Sequence, residues 1–175
     1  RQLLYPLVPK TWVLWGFRIG LIVAFGAHIT SAIMLTRMNA RARPTRYQSP
    51  RHYIAANFAS RSMRWTGIIV FLFLLWHLAD FTWGVEAVNP DFVKGDVYDN
   101  MVASFERPAV AILYIVANIA LGIHLFHGAW SMFQSMGINS PRYNGLRRWI
   151  AGGIAAAITI VNVSFPVSVQ LGIVG

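Results

Sequence analysis

Three histidines, His28, His77 and His124, each lie inside a different long apolar segment of a 175-residue chain, and His127 follows the last by one helical turn. An ionisable side chain at membrane depth is costly and normally faces a bundle interior or a pathway, so such residues mark a functional site by default. Neutral imidazole ligates metals through either ring nitrogen and is a common ligand of haem iron. The same residues can also serve packing, a buried hydrogen bond or a proton relay. Three histidines on three segments weigh against packing alone, and zinc is disfavoured because no carboxylate accompanies the histidines near the arginine-rich side. The chain has no cysteine, which removes thiolate-ligated clusters and covalently attached haem.

The elements that must position these side chains are membrane-spanning helices. Hydrophobic residues make up 56% of the chain and charged ones only 12%, far from the balance of a soluble domain. Four segments are long enough to cross a bilayer at about 1.5 Å per residue: roughly Trp12 to Thr36, Trp65 to Gly84, Pro108 to Phe133 and Trp149 to Leu171. The pattern predicts an all-α transmembrane helix bundle forming one domain over residues 1–175. Pro108 suits a first helical turn, Gly137 ahead of Asn139, Ser140 and Pro141 reads as a stop, and Pro166 is expected to kink the fourth helix. Trp12, Trp15, Trp65, Trp83, Tyr143 and Trp149 fall near helix ends, where an aromatic belt stands.

Charge sets the orientation. Seven arginines and no acid lie between Arg37 and Arg64, and Arg142, Arg147 and Arg148 follow the third helix. The connections at about 37–64 and 137–148 are therefore expected to be cytoplasmic. The connection at about 85–107 contains Glu86, Asp91, Asp96, Asp99 and Glu106 beside Lys94 and belongs outside. This positive-inside pattern accounts for the net charge of +9 and leaves no basic soluble domain for nucleic acid. Ser49-Pro50 followed by Tyr53, Ile54 and Phe58 predicts a short surface helix, in contact with anionic lipid or a soluble partner. His52 reads as a solvated loop residue.

Depth separates the histidines. Counted from the arginine-rich ends, His28 lies roughly 13 Å in and His124 and His127 roughly 14–20 Å in, whereas His77 stands toward the opposite face. On the third helix His124, Gly128, Ser131 and Ser135 share a face, where glycine admits a flat ring and hydroxyls can bond propionates. His28 has Ala24, Ser31 and Ala32 as neighbours one turn away.

Several stretches together resemble the cytochrome b membrane subunit of succinate dehydrogenase and fumarate reductase, in its single-subunit, five-helix, dihaem form. They are Trp15-Gly16-Phe17-Arg18 leading to His28, Arg61-Ser62-Met63-Arg64-Trp65-Thr66-Gly67 leading to His77, Tyr114-Ile115-Val116 leading to His124-Leu125-Phe126-His127-Gly128-Ala129-Trp130-Ser131, and the run from Asp96 to Val102. The resemblance implies that His28 and His124 bind an inner haem b. It implies that His77 ligates a second, outer haem whose partner lies on a first helix ahead of this chain, which is therefore expected to be incomplete. Ser31, Arg64, Trp130 and Arg18 are the expected propionate partners.

A quinone needs an apolar slot with polar groups at its carbonyls. His127 and Gln134 are the foremost candidates on the inner side, with Ser31 and Arg64 beside them, and Asp80 and Glu86 on the outer side, where Arg18 also lies. Asp80, one turn after His77, is equally suited to a hydrogen bond within the bundle. The implied function is that of the membrane anchor of respiratory complex II in a prokaryotic cell membrane. Electrons would reach it from a flavoprotein subunit through an iron–sulfur subunit, with lipid and a higher oligomer of the complex as further partners. A haem-free anchor and a small proton-coupled transporter are the alternatives.

Overall fold

The computed structural model describes residues 10–42, 58–138 and 140–175, which fall into two compact units, residues 1–52 and 53–175. The first unit contains α1 (Lys10–Ala42), a single helix of 33 residues. At about 1.5 Å per residue it measures roughly 50 Å, longer than the roughly 30 Å hydrocarbon layer. It therefore extends the expected Trp12–Thr36 span at both ends. Trp12, Phe17, Leu21 and Ile22 present exposed apolar side chains along it, as a helix bathed in lipid does.

The second unit contains α2 (Phe58–Leu78), α3 (Val97–Phe105), α4 (Pro108–Ser135) and α5 (Asn144–Gln170). With α1, the stretches Arg61–Trp83, Pro108–Ser135 and Pro141–Gln170 make four helices long and apolar enough to cross a membrane. No strand occurs among the described residues. The chain is an all-α transmembrane bundle. The surface helix expected from Ser49 onward lies outside the described residues, as does His52, except that Phe58 and Arg61 open α2.

Local chemistry explains the boundaries. Pro108 occupies the first turn of α4 after an extended Arg107, where its missing N–H costs nothing. Gly137 takes a left-handed φ of 78°, and the Gly137 and Ile138 N–H groups donate to the Gln134 and Phe133 carbonyls, closing the helix as a Schellman motif. Gly172 repeats this device after α5 with a φ of 65°. Pro166 is buried within α5, whose helical run continues across it.

Two departures from expectation matter for the site. The fourth spanning helix begins at Asn144, before the expected Trp149, because Arg147 turns inward: 2% exposed, it donates to the Ile138 carbonyl and to Asn144 Oδ1. The acidic connection at about 85–107 is not a plain loop but carries α3, with Asp96 accepting from the Asp99 N–H at its start. Asn100 ties this segment back by pairing with both the N–H and the carbonyl of Val93 at 2.7 Å. Phe105, Val102, Val110, Tyr114 and Val169 form the main apolar core, with Phe73, Trp76 and Phe81 packed against it.

Candidate functional site

The antiparallel pair α2 and α4 presents histidines at two levels. At the first level, Thr66 Oγ1 lies 3.3 Å from His124 Nδ1. The same hydroxyl lies 3.2 and 3.1 Å from the Ser62 and Met63 carbonyls. A hydroxyl has one proton, and donating it to the helix backbone leaves its lone pair to accept from the imidazole N–H. In that arrangement the His124 proton sits on Nδ1 and the basic lone pair on Nε2. Gly67 lies beside the same ring: a Cβ there would stand 3.4 Å from His124 Cε1, so glycine leaves the edge of the imidazole uncrowded. One turn along α4, Gly128 faces Met63 with room for a Cβ at 3.8 Å.

The second level lies ten residues away on each helix, from Gly67 to His77 and from His124 to Tyr114, or roughly 15 Å. The His77 ring sits among aromatics, with its centroid 5.5 Å from Phe81, 6.0 Å from Phe73 and 6.1 Å from Tyr114. His77 Nδ1 is buried with no hydrogen-bond partner. Asp80 falls in a π-helical turn, Ala79–Trp83, that ends α2, and it is fully buried. Tyr114 Oη donates to Asp80 Oδ2 at 2.7 Å and Ser104 Oγ to Oδ1 at 2.5 Å. Arg107 continues the chain, donating to Ser104 Oγ at 3.0 Å and to the Val88 carbonyl at 2.6 Å. A buried carboxylate needs such donors, and these tie α2, α3 and α4 together at the end away from the arginine-rich connections.

The remaining sequence candidates are placed as follows. His28 and Ser31 lie one turn apart on α1, and the Arg18 guanidinium stacks over Trp15 at 5.3 Å. Arg64 is exposed near the start of α2, Gln134 is exposed in the last turn of α4, and Glu86 is exposed in the turn after the π-helical segment. His127 Nδ1 and Trp130 Nε1 are buried without partners, and the two rings meet edge to face at 6.4 Å. Trp130 also lies beneath Arg148, 5.3 Å from guanidinium carbon to ring centre. The Ser131 and Ser135 hydroxyls donate to their own helix, to the Gly128 and Ser131 carbonyls.

The family model for the succinate dehydrogenase/fumarate reductase transmembrane subunit matches residues 35–163. The chain belongs to that family. No curated protein and no solved structure matches it. The matched stretch holds both levels of the α2–α4 pair, whereas His28, Ser31 and Arg18 precede it. This family member is thus a multi-pass membrane subunit of an oxidoreductase complex. Sequence reasoning did not single out Thr66, Ser104, Tyr114 or Arg107 as polar partners of the site. Thr66 and Tyr114 fell within the family-like stretches, but nothing in the spacing shows that they cross to His124 and Asp80.

Proposed function

We propose that this subunit holds haem b and passes electrons from the iron–sulfur subunit of a succinate dehydrogenase or fumarate reductase complex to a membrane quinone. The observation that supports it most is the setting of His124. A ligating histidine needs its non-ligating nitrogen fixed by an acceptor, and Thr66 supplies one at Nδ1. Gly67 meanwhile keeps the ring edge open. Haem b, when bound, supplies a one-electron carrier whose potential is set by its ligands and surroundings.

His28 and His124 are the axial pair on the arginine-rich side, with Ser31, Arg64 and Trp130 as propionate partners, and Arg18 serves the opposite level. His77 ligates a second haem at the other level. Its aromatic collar excludes water from that imidazole, and the Asp80 network holds the collar's Tyr114 in place. His127, whose buried Nδ1 lacks a partner, is the group best suited to a quinone carbonyl, with Gln134 nearer the helix end. Asp80 already accepts two hydrogen bonds, so its role is that of a buried hub, and Glu86 is the exposed acid on that side. The arginine-rich connections at 37–64 and 137–148 face the cytoplasm and receive the soluble subunits, the flavoprotein acting through the iron–sulfur protein.

The test is a reduced-minus-oxidised difference spectrum of the purified complex. His28→Ala and His124→Ala are each expected to abolish the same b-type band. Persistence of that band in both variants overturns the pairing, and absence of any such band in the unaltered complex leaves a haem-free anchor.

A further inference from the structure

A groove of about 360 Å³ runs along the seam of α4 and α5, lined by Ile119, Ile123 and Phe126 on one helix and Gly152, Ala156 and Ile160 on the other. Ile119 and Ile160 are exposed at its edges. It exists because α5 offers small residues here: Gly152 has no side chain, and the nearest atom to a Cβ built there is Phe126 Cε2 at 3.9 Å. An apolar groove open to the bilayer invites a hydrocarbon chain.

The same helix faces carry the groove to a fixed cation. Arg148 precedes Gly152 by one helical turn and Trp130 follows Phe126 by one, so both continue the lining toward the arginine-rich end. The Phe126 and Trp130 rings lie 6.3 Å apart, and the Arg148 guanidinium rests 5.3 Å above the Trp130 ring. Stacking on an indole holds the guanidinium at the groove's end while leaving its N–H groups to bind an anion. From Arg148 to Ile160 the rise is roughly 18 Å, close to half of the roughly 30 Å hydrocarbon layer. The feature therefore has the depth of one leaflet, with its charge at headgroup height.

We propose that this groove binds an anionic phospholipid, with an acyl chain along Ile123, Phe126 and Ala156 and the phosphate on Arg148. Charge complementarity selects this occupant. All six acids of the chain lie between Asp80 and Glu106, toward the other end of the bundle, so a second copy packed in the same orientation brings no carboxylate to Arg148. An isoprenoid quinone tail fills the groove but leaves the cation unmatched.

The complex purified in mild detergent and examined by native mass spectrometry provides the test. It is expected to retain phosphatidylglycerol in preference to phosphatidylcholine when offered both. Arg148→Gln should weaken that retention roughly fivefold, the effect of one basic residue at a membrane surface. Ala156→Phe, which fills the groove, should abolish it, whereas Ala157→Phe on the adjacent face should not. Equal retention of the two lipids, or unchanged retention in both Arg148→Gln and Ala156→Phe, overturns the proposal. Disulfide cross-linking of Ala156→Cys between copies overturns it in favour of a subunit contact.

Discussion

At the scale of single residues, the proposed haem ligation by His124 gives a part to Thr66, which cannot itself ligate iron. Its hydroxyl sits between two backbone carbonyls of α2 and the Nδ1 of His124, so removing the oxygen while keeping the shape takes from Nδ1 the group that orients it. Loss of such an outer partner typically costs 10- to 100-fold in affinity for the bound group. Thr66→Val should accordingly lower haem retained per polypeptide during purification, and Thr66→Ser, which keeps the oxygen, should restore it. Full haem content in Thr66→Val would show that His124 is oriented by something else. The histidines themselves were legible in the sequence because an imidazole inside an apolar run has few bland explanations. Thr66 was not, since threonine is common in spanning helices and its partner stands 58 residues away.

At the scale of helices, the α4–α5 seam depends on one absent side chain. A Cβ on Gly122 would come within 2.2 Å of Thr159 Oγ1, with Thr159 Cβ next at 3.4 Å. The helices approach closely there, as small residues allow in membranes where packing rather than water drives association. Gly122→Ala is expected to destabilise the bundle by about 1–3 kcal/mol, the usual cost of overpacking. The companion Thr159→Ala should recover most of that loss in the double variant. Unfolding midpoints of the four proteins in detergent give the coupling energy directly, and additive effects would mean that the two positions do not meet. The spanning helices were readable from long apolar runs, and their ends from Pro108 and Gly137. The nine-residue α3 was not, because it is too short to span and lies in an acidic stretch that reads as loop. Only the Asp96 cap signals it, and its anchoring through Asn100 and Ser104 is tertiary. The early start of α5 was hidden for a related reason: Arg147 reads as one more basic flank, yet its guanidinium is spent on Ile138 and Asn144.

At the scale of the whole molecule, the antiparallel α2–α4 pair separates two histidine settings by roughly 15 Å of helix rise, each with its own supports. Thr66 and Gly67 serve His124. Phe73, Phe81 and Tyr114 surround His77, and Asp80 fixes Tyr114 through a bond at 2.7 Å. Among the described residues no hydrogen bond links the two sets, and effects at sites that share no partners are usually additive. On the proposed haem ligation, redox titration of the complex should therefore resolve two b-type components that respond separately. His77→Ala should remove one and leave the other with its potential nearly unchanged, whereas His124→Ala should do the reverse. Loss of both components from either single variant would mean that the levels form one cooperative site, and the separation along α2 and α4 would then have no functional counterpart.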